Sequence, residues 1–270
     1  MTSAEGTRAA NLPARRRADL TAFIQQRGQA TIGELAKEFA VSVDTVRRDL
    51  DHLAARGLVA RTHGGAVPGG ELATADSPVA DRMNERREAK DAIGAAAARL
   101  VRDNETLLVN GGTTVLSAVA ALGGHRGLTI VTNNLRVPGM VPAQALRDLF
   151  VLGGACRTTA LVTIGPIRFP DTAGVSADTA LIAVGGVSAS GLSVSNIPEA
   201  QMIQEMMDSA SRVVVLADTA KFERRALARI CPLNRVDVLV SEQPPSGELA
   251  LALERAEVTL AGPYLPEDDG

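Results

Sequence analysis

The chain has 270 residues, of which 46% are hydrophobic and 22% charged, a globular composition that excludes wholesale disorder and supplies core for two domains. No apolar run approaches the roughly 18 residues of a membrane span, residues 1–20 show no secretory signal, and two distant cysteines (Cys156, Cys231) with three scattered histidines (His52, His63, His125) suggest neither a disulfide framework nor a metal cluster. The net charge of −3 is unevenly spread: residues 1–70 hold 10 Lys and Arg against 7 Asp and Glu, and residues 71–270 hold 18 against 24.

A basic first quarter on an acidic remainder points to a nucleic-acid-binding head. Aromatic residues make up 2% of the chain, with no Trp and one Tyr, so stacking platforms for single strands are scarce and duplex DNA is the expected partner. Residues 14–63 read as helix, helix, helix, hairpin. Thr31 can cap a helix, with Glu34 completing a capping box, and Ile32, Leu35, Ala36 and Phe39 fall on one face. That helix stops at Ala40-Val41. Ser42 can cap the next one, in which Val43, Val46, Leu50 and Leu53 recur on one face. Two short helices joined by so short a turn form a DNA-binding helix-turn-helix.

Thr45, Arg47, Arg48 and His52 stay on the outside of the second helix, where they can reach base edges or phosphates. The competing reading of Arg47-Arg48 is a solvated face paired with Asp44 and Asp51. Gly57 ends the helix, residues 58–62 form a short strand and Gly64-Gly65 a turn. This hairpin reads as a β-wing carrying Arg61 and His63 to the DNA, or as a plain interdomain hairpin.

Beyond it lies a Gly-, Pro- and Ser-rich stretch, so the expected organisation is a DNA-binding domain at 13–68, a linker at 69–81 and an α/β domain at 82–265. A helix is expected from about Arg82 to Arg102, with Ala89, Ile93, Ala96, Ala97 and Leu100 on one face. Short β-branched runs follow at 106–109, 128–132, 149–152, 180–184, 213–217, 236–240 and 258–261. Several are apolar throughout, as strands buried on both faces are. Segments 113–122, 199–210 and 246–256 suit crossover helices, giving a Rossmann-like parallel sheet.

Leu35-Ala36, the run Val41-Ser42-Val43-Asp44-Thr45-Val46-Arg47-Arg48-Asp49-Leu50 and then Arg61-Thr62-His63-Gly64-Gly65-Ala66 closely resemble the DeoR family of bacterial transcriptional regulators. The likeness continues through about residue 242. It implies a winged helix-turn-helix followed by a sugar-phosphate-sensing α/β domain related to ribose-phosphate isomerases.

In the second domain, the strand at 106–109 runs into Asn110-Gly111-Gly112-Thr113-Thr114 and then a helix. Glycines let backbone N–H groups approach an anion, and a helix N-terminus adds its positive dipole end. Spacing alone leaves a tight turn capped by threonines equally open. The loop resembles the family's Asp-x-Gly-Thr-Thr signature, with Asn110 in place of Asp. Thr132 and Asn133 close the next strand and can hold sugar hydroxyls or cap a helix, while Gly153-Gly154 closes the one after. Both segments resemble family ligand loops. Gly185-Gly186 repeats the design. Asp218-Thr219-Ala220-Lys221-Phe222 resembles the family's Asp-x-Ser-Lys-Phe block, and Lys221 can reach a phosphate or pair with Asp218. The family's basic residue near Ile203 is missing.

These readings converge on a cytoplasmic repressor of sugar-metabolism genes. Its partners are a double-stranded DNA operator and a phosphorylated sugar, and it acts as a homodimer or homotetramer without membrane, metal, cofactor or catalytic residues. The alternative is a sugar-phosphate isomerase carrying a DNA-binding head. That reading needs a general base, for which Glu199 and Asp218 are the available carboxylates.

Overall fold

The computed structural model describes residues 13–27, 30–55, 58–62, 65–68, 79–167 and 174–264. The chain divides into two units, Met1–Ala75 and Asp76–Gly270.

The first unit contains α1 (Pro13–Arg27), β1 (Ala30–Thr31), α2 (Ile32–Glu38), α3 (Val43–Ala55), β2 (Val59–Thr62) and β3 (Gly65–Pro68). Thr31 and Glu34 form the capping box: the Glu34 amide donates to Thr31 Oγ1 at 3.2 Å, and the Thr31 amide donates to Glu34 Oε2 at 2.8 Å. Leu20 and Ile24 of α1, Leu35 of α2, and Val46 and Leu50 of α3 are all fully buried and meet in one core. The antiparallel β2–β3 hairpin recruits β1 as a third strand against β3. One expectation fails here. Val43 repeats in phase with Val46 yet is 42% exposed, because it is the first residue of α3 and extends past the core that α1 and α2 cover. The hairpin tip with His63 and Gly64, together with Gly57 and most of the expected linker, lies outside the described residues.

The second unit opens with α4 (Val79–Asn84) and α5 (Arg87–Ala98) where one helix was expected. The break falls at Arg86, whose φ of 50° no helix tolerates. Buried Lys90 fixes it by donating its ammonium to the carbonyls of Arg82 and Glu85, which closes the C-terminal end of α4. The remaining elements are β4 (Thr106–Val109), α6 (Thr113–Ala120), β5 (Leu128–Thr132), α7 (Val137–Met140), β6 (Leu146–Val151), β7 (Ala155–Arg157), β8 (Val162–Ile164) and β9 (Ala177–Ala183). They continue with β10 (Gly186–Ser188), β11 (Gly191–Val194), α8 (Ile197–Asp208), β12 (Ala210–Leu216), β13 (Ala228–Cys231), β14 (Val238–Val240), α9 (Gly247–Arg255) and β15 (Thr259–Ala261).

Seven strands form one sheet in the order β15-β14-β12-β9-β4-β5-β6, with every neighbour parallel. Alternate residues feed two cores. Leu107, Val109, Leu181 and Val214 pack under α5 and α6, while Leu108, Ile182, Val213 and Val215 pack under α8 and α9. Burial on both faces explains why these strands read as continuous apolar runs. The chain winds outward from β4 to β5 and β6, then returns to β9 on the other side of β4. The strand order therefore reverses at β4, and the carboxyl ends of the strands on either side of such a reversal are the usual ligand position in parallel sheets. Two small antiparallel sheets, β7-β8 and β10-β11-β13, add to the expected architecture. Gly185-Gly186 therefore enters a strand and not a helix, so it does not repeat the β4–α6 design.

Candidate functional site

On α3 the hydroxyl of Ser42 accepts the Thr45 amide at 3.2 Å and shares a 2.8 Å hydrogen bond with Thr45 Oγ1, so the two residues cap the helix that they begin. Arg47 and Arg48 are exposed, and His52 is half-buried. Arg47 approaches Asp44 at 3.4 Å, with both side chains more than half exposed. Asp49 turns the other way. It is 2% exposed and takes Arg16 Nε at 2.6 Å and Arg17 Nε at 2.8 Å, which clamps α3 to α1. Burial alone would raise the Asp49 pKa, but the hydrogen bonds from Arg16 and Arg17 outweigh it and hold the carboxyl below its ordinary value. Sequence reasoning missed this clamp, although the run Arg15-Arg16-Arg17 was visible. Arg61 lies on β2, and its side chain, like all of His63, is outside the described residues.

In the second unit, Asn110 ends β4 as a structural pin. Its Nδ2 donates to the Ala183 carbonyl at 2.9 Å, and its Oδ1 accepts the Ala183 amide at 2.8 Å, which extends the β4–β9 pairing by one step. Gly111 and Gly112 then pass through a gap too narrow for side chains. A Cβ on Gly111 would stand 2.5 Å from Val162 Cγ1, and one on Gly112 (φ 151°) would stand 2.5 Å from Ala183 Cβ. Thr113 and Thr114 begin α6, whose N-terminus has no side-chain cap. Helix N-termini of this kind present amides that no side chain caps.

Thr132 is fully buried and its hydroxyl donates to the Val109 carbonyl at 2.7 Å, tying β5 to β4. Asn133 Nδ2 donates to the Thr163 carbonyl at 2.8 Å, while its buried Oδ1 has no partner among the described residues. Gly153 and Gly154 are exposed in the β6–β7 connection. Gly186 lets the carbonyl of Arg224 lie against β10, and Gly185 lies beside Ser193 and Val194. Glu199, in the first turn of α8, accepts Arg157 Nη1 at 2.7 Å. Ile203 is buried in the core beneath α8, so a charge at that position would have no outlet.

The structure adds an element that the sequence did not suggest. At one end of α4, the Val79 amide donates to the Thr159 carbonyl at 2.9 Å, in the β7–β8 connection. At the other end Arg86 donates to Thr219 Oγ1 at 2.7 Å, pairs with Glu242 and stands 3.5 Å from Asp218. Between them Met83 Sδ accepts Arg136 Nη1 at 3.3 Å. Thr219 and Glu242 follow β12 and β14, so α4 runs across the carboxyl end of the sheet from one half to the other.

Several cations gather around it. Among the described residues the Nε atoms of Arg82 and Arg136 are buried and unpartnered, and Asp218 is the carboxylate that acts on Lys221. The acids nearby are already engaged. Asp218 is 2% exposed and accepts the Ala220 amide at 3.0 Å beside Arg86. Glu242 accepts the Thr219 hydroxyl at 2.6 Å; burial, which alone would raise its pKa, is outweighed by Thr219 and Arg86, and the net shift is downward. Burial pushes the Lys221 pKa down, and Arg224, Lys90 and Arg82 push it further against the pull of Asp218. Burial likewise lowers the Lys90 pKa. Half-buried positive charge of this kind is costly until an anion meets it.

Residues 16–68 match the family model for a DeoR-like helix-turn-helix domain, and residues 85–243 match that for a DeoR C-terminal sensor domain. The chain is 32% identical to the HTH-type transcriptional repressor CsqR of Escherichia coli (strain K12), over 93% of this chain and 94% of that one. It is 29% identical to the glycerol-3-phosphate regulon repressor of the same organism, over 83% and 88%. A solved D-ribose-5-phosphate isomerase in complex with phospho-erythronic acid matches at a TM-score of 0.38 and 14% identity, over 50% of this chain and 54% of that one.

Proposed function

Because the chain belongs to the DeoR family of transcriptional regulators, we propose that it is a repressor that binds a double-stranded DNA operator through α3 and releases it when a phosphorylated sugar occupies the carboxyl end of its parallel sheet. In this reading residues 13–68 bind DNA, 69–81 connect and 82–265 sense the effector, with α4 straddling the last junction. Ser42, Thr45, Arg47, Arg48, His52, Arg61 and His63 face DNA. The phosphate meets the amides of residues 112–114 and the threonine hydroxyls, with Arg136 nearby.

The observation that carries the reading is the uncapped N-terminus of α6 at the strand-order reversal, with Arg136 on its side of the sheet, Arg82, Lys221 and Arg224 on the β12 side, and the buried Nε atoms of Arg82 and Arg136 unpartnered among the described residues. Asn110 and Thr132 serve by holding the loops, since their polar groups are engaged with backbone. Coupling follows from the position of α4, the first described element after the connector. A ligand that draws in Arg82 shifts α4, and α4 is joined to the DNA-binding unit by ten residues or so of chain. The ligand must bind the DNA-competent and released states unequally for this to work.

An isomerase needs an unengaged base beside its substrate. Glu199 is tied to Arg157, and Asp218 to Arg86 and the Ala220 amide, which argues against that alternative. A dimer or tetramer in the cytoplasm completes the proposal, because a single recognition helix makes too few base contacts for a specific site. Among the described residues no helix is long and apolar enough to cross a membrane. The test is to capture DNA fragments from the gene's own upstream region on immobilised full-length protein, then elute with a panel of sugars and their phosphates. Elution by a phosphorylated sugar alone supports the reading; failure to retain any upstream fragment at low salt contradicts it.

A further inference from the structure

The cations at the carboxyl end of the sheet fall into two groups. Arg136 belongs to the β4–β5 side: its amide donates to Asn134 Oδ1 at 3.1 Å, and Asn134 Nδ2 reaches the Gly112 carbonyl at 3.4 Å, at the start of α6. Lys221 belongs to the β12 side, in the turn Thr219–Lys221 that Asp218 caps. Arg224 lies three residues on; burial lowers the Lys221 pKa, and Arg224, Lys90 and Arg82 lower it further while Asp218 raises it. The two acids on that side are engaged by Arg86, Thr219 and the Ala220 amide. Lys90 is held by the carbonyls of Arg82 and Glu85. Asp218 is the carboxylate that draws on Lys221, and it is shared with Arg86 and Lys90; among the described residues no carboxylate forms an ion pair with Arg82 or Arg224, and Arg82 Nε is buried without a partner.

A single phosphate at the start of α6 cannot answer both groups. One strand, β9, separates β4 from β12. Two interstrand spacings place their carboxyl ends about 10 Å apart, the reach of a sugar-sized carbon chain with a charged group at each end.

We propose that the effector is doubly anionic, a sugar bisphosphate or a phosphorylated sugar acid, with one anion at the start of α6 beside Arg136 and the second held by Arg82, Lys221 and Arg224. This rests on the sugar-phosphate reading above and narrows it to a ligand class. Arg82 supplies a fork suited to carboxylate or phosphate oxygens, and Lys221 supplies a point charge. The second anion also satisfies Arg82 Nε, which is buried without a partner among the described residues, so a charge that selects the ligand lies on α4.

The experiment is isothermal titration of the full chain with glucose 6-phosphate, fructose 6-phosphate, fructose 1,6-bisphosphate and 6-phosphogluconate. The second charge-assisted contact predicts that at least one doubly anionic probe binds about 10- to 100-fold more tightly than either monophosphate. Lys221→Gln and Arg82→Gln, with Arg224→Gln as a third, independent variant, each reduce that ratio, and the Lys221→Gln/Arg82→Gln pair brings it close to one. Equal affinity for singly and doubly anionic probes in the native chain overturns the inference and leaves the sugar-phosphate reading standing. So does a preference that survives the paired substitutions. Binding of none of the four probes, or of any other phosphorylated sugar, overturns both.

Discussion

Asn110 and Ala183 exchange two hydrogen bonds, at 2.9 and 2.8 Å, across the point where the order of the parallel sheet reverses. The amide acts as a piece of backbone, donor to the carbonyl and acceptor from the N–H, and holds Gly111-Gly112 in its narrow passage. Asn110 is 1% exposed, so an aspartate there would set a carboxylate oxygen against the Ala183 carbonyl with no water to separate them. Asn110→Asp should therefore cost about 1–3 kcal/mol of sensor-unit stability. Urea denaturation followed by circular dichroism measures it, and an unchanged midpoint would show that the pin carries no weight.

The clamp between Asp49 and the Arg16–Arg17 pair sets the pH response of the DNA-binding unit. The folded Asp49 carboxyl lies below its ordinary value of 3.8. Its stabilising contribution is therefore complete above that value and is lost as pH falls through the lower, folded one. Asp49→Asn keeps the shape and removes the charge, at a cost of about 1.5–3 kcal/mol, toward the lower end because Arg17 remains 29% exposed. Thermal melts of the native chain and the variant should differ at pH 6 and converge toward pH 3. A gap that persists undiminished in acid would mean that the clamp acts through shape alone.

Gly94 decides between two opposed effects. Helix propensity favours alanine over glycine inside α5 by about 1 kcal/mol. A Cβ at this position, however, would stand 2.5 Å from the Ser117 carbonyl carbon and 2.7 Å from the Ala118 amide of α6, both of them backbone. Backbone cannot swing aside, so Gly94→Ala should destabilise by about 1–3 kcal/mol. A stabilised variant would mean that α5 and α6 separate more easily than their packing indicates.

Val43, exposed at the first turn of α3, presents an apolar surface on the helix proposed to enter the major groove. The partner chemistry for such a surface in the major groove is the thymine methyl group. Replacing dT by dU one position at a time in a bound operator should weaken the native protein at a particular position and leave Val43→Ala indifferent there. Equal sensitivity of both proteins at every position would remove Val43 from the readout.

Much of this architecture was legible because burial on both faces writes a strand as an apolar run. Thr106–Val109 and Leu128–Thr132 are placed to the residue. The edge strand β6 is less so, since its outward residues Arg147, Asp148 and Phe150 interrupt the pattern. The strands β10, β11 and β13 are too short for any periodicity. The break between α4 and α5 gives no glycine or proline signal, because an arginine takes the left-handed conformation and its contacts to Asp218, Thr219 and Glu242 hold it there.

At the proposed site, Lys221 and the Gly-Thr loop stand out in the sequence by residue type and position. Arg82, Arg136 and Arg224 could not. A chain with 28 lysines and arginines offers no way to see which of them lack a carboxylate until the fold has paired the rest. Thr132 and Asn110 illustrate the converse: their polar groups looked available in sequence and are occupied in the fold.

The central claim is that an anion at the carboxyl end of the sheet sets DNA affinity. It is tested most directly by fluorescence anisotropy of the native protein on a labelled fragment of its upstream DNA, at one fixed salt concentration because phosphate contacts make affinity steeply salt-dependent. Phosphorylated sugars and their unphosphorylated parents are then added in turn. The account predicts that a phosphorylated sugar lowers the anisotropy, its parent does not, and Lys221→Gln needs at least about tenfold more of the same ligand. DNA binding that no phosphorylated sugar disturbs, or release that is equally efficient in Lys221→Gln, would contradict it.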